Sequence, residues 1–386
     1  MTPQTTAHRA ATRRRKLLPT HPQPGTSTPP EGAKGGRTTL SEVAGLAGVS
    51  VSTASLAFSG SGPIADATRD RVLAAASELG YTGPSPLGRQ LRSGRSGIVG
   101  VVVGGHVSRT FRDPVSIKVL DGLVSELGTH GVGVLLVPAV PSDGAADPLV
   151  ASAAMDVGVL VWGARREDPT YEALVRRGIP VVIGEGTAKP AAPVVGLEDR
   201  RGAAELGHHL RALGHERVAV VALPVAFPER TGLADADRLA DIEKTPTRNR
   251  LAGLADAGIE PVAVWETEAS LVEHGRGAGR ALLDIPAEQR PTAVVAQSDL
   301  LAAGVLLAAR ELGIDVPGEL SVAGFDGVDL PWLGADVQLT SVLQPFEKKG
   351  AALGRAALQL VAGEDVPDVL LPVELVVGTT TGPAPR

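Results

Sequence analysis

The chain has 386 residues, more than one typical domain, and 43% are hydrophobic, so two or three sizeable cores are expected; only 3% are aromatic, so Ala, Val and Leu must build them. It has no cysteine, which excludes disulfides, thiolate nucleophiles and cysteine-ligated metals, and no apolar run near the roughly 18 residues of a membrane span. The net charge of −6 hides a split: residues 1–97 hold 12 Lys and Arg against 5 Asp and Glu, which leaves 25 against 38 for the rest.

That asymmetry points to a basic module for a polyanion joined to an acidic body; a basic tail that only solubilises is the alternative. Residues 1–36 mix Thr, Pro, Gly and Arg without apolar periodicity and read as a disordered tail, at most an auxiliary phosphate contact. The cluster Arg13–Lys16 has no apolar stretch after it, which argues against a secretory signal and for a cytoplasmic protein.

Order is expected from Thr39. Thr39 and Glu42 have capping-box spacing, and Leu40, Val43, Ala44 and Ala47 fall on one helical stripe. Gly48 supplies a turn with positive φ, Val49 plugs the corner, and Ser50 caps a second helix. That helix buries Ala54, Ala57 and Phe58 and points Val51, Ser52 and Ser55 away. A third helix over about Asp66–Leu79 buries Val72, Ala76 and Leu79 and stops at Gly80. Residues 37–81 therefore read as a helix-turn-helix headpiece.

Residues 82–97, TGPSPLGRQLRSGRSG, open on Pro84 and Pro86, close on Gly94 and Gly97 and carry Arg89, Arg92 and Arg95. They read as a flexible linker, or as a short helix that forms only on a partner. From Ile98, short β-branched runs alternate with amphipathic stretches: GIVGVVVGG, GVGVLLVP, VGVLVW, PVVIGE and RVAVVAL, then PVAVWE, TAVVAQSD and ELSVAGFD. This predicts an α/β core over residues 98–380, of two doubly wound parallel-sheet subdomains in tandem, interrupted by an inserted or crossing loop near 224–247. Residues 381–386 read as a flexible C-terminus.

RTTLSEVAGLAGVSVSTASLAFSGSGPIADATRDRVLAAASELGY resembles the DNA-binding headpiece of the lactose/galactose repressor family, and SPLGRQLRSGRSG resembles its hinge. HHLRALGHERVAVV, TAVVAQSDLLAAGVLLAARELGIDVPGELSVAGFD and LTSVLQPFEKKG follow in that family's order, so the resemblance spans about residues 37–380. It implies a periplasmic-binding-protein-like core and a cytoplasmic, homodimeric repressor of a palindromic double-stranded operator, controlled by a small-molecule effector, sugar-like or another polar metabolite. A higher oligomer stays open, and no cofactor, metal or membrane is implied. A solute-binding protein of a transport system is the alternative that shares the two-lobed core.

By the resemblance, Val51 and Ser52 read bases, and Thr53 and Ser55 contact phosphate or base. Leu56 and Ser59 replace the family's common Arg and Asn, so a guanine-reading fork is missing; Leu56 as a plain core residue is the other reading. Arg89 belongs to the hinge, where Leu91 matches a minor-groove wedge. In the core, Arg250, Asp326 and Gln344 match effector-binding positions. Ser298 and Asp299 stand for a common Asn-Asp pair. Asp113-Pro114-Val115-Ser116 stands for a run with two aromatic residues, so its stacking rings are lost. Each of these polar residues could instead be structural.

Enzyme-like signals are weak. Gly100–Gly105 lacks dinucleotide-loop spacing, His208, His209 and His215 have no carboxylate to complete a metal set, and no nucleophile elbow occurs.

Overall fold

The computed structural model describes residues 38–59, 62–83, 94–104, 110–139, 146–163 and 165–385. They fall into two compact units, one within residues 1–89 and one within 90–386.

The first unit has three helices: α1 (Leu40–Ala47), α2 (Val51–Ser59) and α3 (Asp66–Glu78). The capping box forms as expected, with Glu42 N donating to Thr39 Oγ1 at 3.3 Å and Thr39 N donating to Glu42 Oε2 at 2.7 Å. Gly48 takes φ +66°, a left-handed conformation that a Cβ would disfavour, and α1 and α2 meet at 102°. Ser50 Oγ accepts from Thr53 N at 3.1 Å and starts α2. Val43, Ala44, Ala47, Ala54, Ala57 and Val72 lead a core of small side chains. Phe58 and Tyr81 close its edge with rings 5.5 Å apart, edge to face. Arg71 Nε donates to Ala47 O at 3.1 Å, which satisfies one terminal carbonyl of α1.

The second unit holds two sheets. The first joins β1 (Ile98–Gly104), β2 (Gly133–Ala139), β3 (Val157–Leu160), β4 (Val181–Gly184), β5 (Val194–Leu197) and β12 (Val369–Leu371), all parallel, in the order β12-β5-β4-β3-β1-β2. The second joins β6 (Val218–Ala222), β7 (Gly232–Leu233), β8 (Ala263–Glu266), β9 (Ala293–Ala296), β10 (Ser321–Asp326), β11 (Thr340–Leu343) and β13 (Glu374–Val376), in the order β13-β11-β10-β9-β6-β8-β7. Only its edge strands β7 and β13 run antiparallel. Strands β1, β3, β4, β6 and β9 are apolar along their whole length because helices cover both faces. Those helices are α4 (Pro114–Thr129), α5 (Pro148–Ser152), α6 (Pro169–Arg176), α7 (Asp199–Ala212), α8 (Ala236–Ala240), α9 (Thr245–Asp256), α10 (Val272–Leu283), α11 (Asp299–Glu311) and α12 (Phe346–Ala362).

The subdomains are interwoven, which corrects the expected tandem arrangement. The chain leaves the first sheet between β5 and α7, and the run RVAVVAL already belongs to the second sheet. It returns after β11, when α12 packs Leu353, Ala356 and Ala357 into the first sheet's core, and crosses again between β12 and β13. The stretch 224–247 is no boundary: it carries β7 and α8 and lies within the second lobe. Hydrophobic rhythm marks strands but does not say which sheet each one joins.

Helices α4 and α12 approach at two glycines. A Cβ on Gly350 would lie 2.0 Å from Val119 O, and one on Gly122 would lie 2.3 Å from Glu347 O. The C-terminal residues are also held, against the expected flexible end. Gly382 N donates to Ser321 Oγ at 3.0 Å and Ala384 N donates to Leu213 O at 2.8 Å. Buried His215 reaches Gly382 O at 3.0 Å and Thr292 Oγ1 at 3.0 Å. Among the described residues no single helix is long and apolar enough to cross a membrane.

Candidate functional site

On the headpiece, α2 shows the face expected of a recognition helix. Val51 is 48% exposed, Ser52 and Ser59 are exposed, and Thr53 and Ser55 are half-buried. The Ser52 and Thr53 hydroxyls lie 2.9 and 2.8 Å from Ser50 Oγ, and Ser59 Oγ donates to Leu56 O at 3.2 Å. Leu56 is half-buried and lies outside the headpiece core; its Cδ2 would be 3.1 Å from a Cβ placed on Gly62. It leans on the following turn, beside Gly62. Arg89 and Leu91 fall outside the described residues.

In the second unit a cavity of about 480 Å³ opens at the carboxyl ends of the parallel strands of both sheets. Trp162 follows β3, Glu185 follows β4, Ser298 follows β9, Asp326 ends β10 and Gln344 follows β11; all five line it. Arg250, from α9, is only 4% exposed. Its Nε donates to Asp199 Oδ1 at 2.8 Å, its Nη1 donates to Gln297 O and lies 3.9 Å from Asp326 Oδ1, and its guanidinium covers Phe325 at 3.6 Å from the ring centre. Gln344 Nε2 donates to Asp326 Oδ1 at 2.5 Å. The structure thus gathers Arg250, Asp326, Gln344 and Ser298 at one cavity.

Asp299 is a correction. It does not line the cavity; its Oδ2 accepts from Gly327 N at 2.7 Å and Val328 N at 2.8 Å, and its Oδ1 accepts from Ser341 Oγ at 2.6 Å. It fixes the loop after β10. Ser298 has a double role, as the cap of α11 through Leu301 N at 3.2 Å and as partner of Ser270 Oγ at 2.8 Å.

Buried carboxylates outnumber cations here. Burial pushes Asp326 well above the ordinary carboxylate range, Arg250 pulls it back, and Asp299 and Asp113 push it further. Burial raises Asp199 to about 6 against the pull of Arg250, with Glu185 adding to the rise. Asp113, the cap of α4, is raised by burial too. Burial opposes the charge of Arg250, but Asp199, Asp326 and Glu185 outweigh it and hold the guanidinium above its usual value.

The sequence reading missed Glu185 and Lys349. Lys349 is 1% exposed; its Nζ donates to Glu185 Oε2 and, at 3.2 Å, to Gln344 Oε1, and lies 4.5 Å from the centre of the Trp162 ring. A signal existed: Lys349 sits three residues after Phe346 and four before Leu353, on the buried stripe of α12. The rings missing from the Asp113–Ser116 run are supplied from elsewhere, by Trp162 and by Phe227, whose ring lies 4.6 Å from the Arg165 guanidinium carbon. Among the described residues no three His, Asp or Glu side chains converge as metal ligands.

Residues 39–84 match the model for bacterial regulatory proteins of the lacI family, and residues 208–381 match a periplasmic binding protein-like domain. The chain is 30% identical over 357 residues to the HTH-type transcriptional regulator IpsA of Corynebacterium glutamicum, covering 89% of this chain and 98% of that one. It is 31% identical over 361 residues to the HTH-type regulator MalR of Streptomyces coelicolor, covering 90% and 98%. Among solved structures, the transcriptional regulator CelR in complex with cellobiose is 26% identical with TM-score 0.62, covering 89% of this chain and all of that one. The lac repressor dimer bound to operator and anti-inducer, at 24% identity and TM-score 0.71, shares the fold over 90% of this chain. These relatives are regulators and not enzymes. The chain therefore belongs to the lacI family of bacterial regulatory proteins, a transcriptional regulator with a helix-turn-helix headpiece and an effector-binding core.

Proposed function

We propose that this regulator is a cytoplasmic repressor that binds a palindromic operator as a homodimer and is released or fixed there by a small polar effector. The observation that carries the reading is that two polar residues of the cavity wall, Arg250 and Gln344, are bonded to or placed at the chain crossings: Arg250 Nε donates to Asp199 Oδ1 and Lys349 Nζ donates to Gln344 Oε1. Asp199 opens the helix after the first crossing, and Gln344 and Lys349 flank the second. A ligand seated on Asp326, Gln344 and Arg250 would then favour one angle between the lobes. It can do so only if it binds the two states unequally.

Two features support the DNA half of the reading. The exposed Val51 and Ser52 have no packing task in the headpiece, and a major groove admits one such helix. A second copy fits the exposed Ile117 and Val124 of α4, 46% and 47% accessible, and protein two-fold symmetry would match half-site symmetry. Arg89 and Leu91, which lie outside the described residues, are assigned by the family resemblance to the hinge and to a minor-groove wedge. The effector is sugar-like or another polar metabolite, as the ligand of CelR is cellobiose.

Genomic footprinting with the purified full-length protein tests this. Protection of palindromic sites, lost in a version beginning at Ile98, is expected. Equal binding by that truncated version would overturn it.

A further inference from the structure

Asp156, the residue before β3, grips the end of the linker with both carboxylate oxygens. Its Oδ1 accepts from Ser96 N at 2.6 Å and from Ser96 Oγ at 2.9 Å, and its Oδ2 accepts from Gly97 N at 2.7 Å. Hydrogen bonds to a carboxylate are shorter and stronger than those to neutral acceptors. A carboxylate can take all three because it accepts at both oxygens; an amide would turn a donor toward one of them. Strand β1 begins only at Ile98, so Asp156, and not the sheet, satisfies the N–H groups of residues 96 and 97.

The seat of Asp156 is itself fixed. Its N donates to Ile98 O at 2.9 Å, and the buried Met155 side chain fills the space over Gly100, where a Cβ would lie 2.4 Å from the sulfur. From the other side, Gly97 O accepts from Gly133 N at 2.9 Å and Ile98 N donates to Ser96 Oγ at 3.1 Å. Strand β3, buried along its length, then runs from Asp156 toward Trp162 in the cavity wall. A change in lobe angle can reach the linker only if the linker's end is tied to a lobe, and this is such a tie.

We propose that Asp156 is a positioning residue for operator recognition: by tying Ser96 and Gly97 to the start of β3, it sets where the linker leaves the first lobe, and specific operator binding depends on that. This rests on the operator reading above and adds the residue through which the core acts on the linker.

Binding to random-sequence DNA needs only phosphate contacts, whereas a palindromic site demands two correctly spaced headpieces. The two kinds of DNA therefore separate positioning from misfolding, which would weaken both. Removing a negative charge would by itself favour DNA, so a loss cannot come from charge. The full-length protein is tested on the palindromic site that footprinting recovers for the wild type and on random duplex of equal length, at one salt concentration. Asp156→Ala should lose at least fivefold on the palindromic site and keep its affinity for random duplex. Asp156→Asn, which retains one acceptor, should fall between. Ser96→Ala breaks the same tie from the linker side with little risk to the fold; it should weaken the palindromic site too, and should add little to Asp156→Ala. A DNA-free measurement is tryptic cleavage of the Arg95–Ser96 bond, where exposed Arg95 precedes half-buried Ser96. Asp156→Ala should speed it at least tenfold, because the bond then opens locally.

Unchanged cleavage at that bond, a smaller loss on the palindromic site, an equal loss on random duplex, or losses that simply multiply in the double variant overturn the proposal. A wild type that protects no palindromic site refutes the operator reading and this proposal with it, and that result is in hand before any variant is compared.

Discussion

Arg250 Nε donates to Asp199 Oδ1 at 2.8 Å, with both side chains at most 5% exposed. The bond ties α9 to the first residue of α7, where the chain has just crossed between lobes. Arg250→Met would leave Asp199, Asp326 and Glu185 without their shared cation. Removing one partner of such a buried set costs about 3–5 kcal/mol, and the urea midpoint of the core should fall accordingly. Arg250→Lys should not restore it, because an ammonium cannot serve Asp199, Gln297 and Asp326 from one planar fork. A midpoint within experimental error of wild type in Arg250→Met would mean that the network carries no stability.

Asp199 gives a pH dependence of defined sign. Its folded pKa, about 6, lies above the usual unfolded value of about 3.9. Between these values the folded state holds a proton that the unfolded state has lost, so this group's stabilising share is full below the unfolded value and disappears as pH rises through 6. Buried His215, whose pKa is lowered by burial, acts in the opposite direction, so the share of Asp199 must be read by difference. Going from pH 7.5 to 5, wild type should gain about 1 kcal/mol over Asp199→Asn. Parallel stability curves for the two proteins would refute the shift.

The α4–α12 contact makes a prediction about glycines. Gly350→Ala forces a Cβ to 2.0 Å from the Val119 carbonyl, a backbone atom that cannot swing aside. Overpacking of this kind costs about 1–3 kcal/mol. Gly128, also on α4, has nothing within 4 Å of an added Cβ, and Gly128→Ala should be neutral or stabilising by up to ~1 kcal/mol. Equal melting temperatures for the two variants would mean that the helices slide apart without loss.

What was legible in the sequence follows from what is local. Thr39, Glu42, Gly48 and Ser50 act within a few residues of themselves, so the headpiece could be read position by position. Arg250, Asp326 and Gln344 were found by resemblance, and their convergence required the fold. Glu185 and Lys349 are 164 residues apart, and no periodicity links them; only the buried stripe of α12 marked the lysine as unusual. Asp299 was misplaced because a carboxylate beside a cavity and one behind its wall look the same in sequence. The interweaving of the lobes was hidden for a related reason: strand order is set by long-range pairing, and β12 joins β5 from 174 residues away in the Val194–Asp368 contact.

Leu56 is where structure and sequence together give the most specific expectation for DNA. It lies one turn after Ser52 on α2 and rests on Gly62, outside the headpiece core. An aliphatic tip there can meet a thymine methyl but cannot hydrogen-bond a base edge. Leu56→Arg should keep that contact through the arginine stem while the guanidinium extends beyond it. Headpiece stability should therefore change by less than about 0.5 kcal/mol, as for a surface substitution. Operator preference should move toward guanine at one symmetric position per half-site, by about 1–3 kcal/mol. Selection from a randomised palindromic library, run with both proteins at one salt concentration, measures this directly. An unchanged consensus with undiminished affinity would place residue 56 off the base edges, and α2 would then enter the groove by its Val51 end alone.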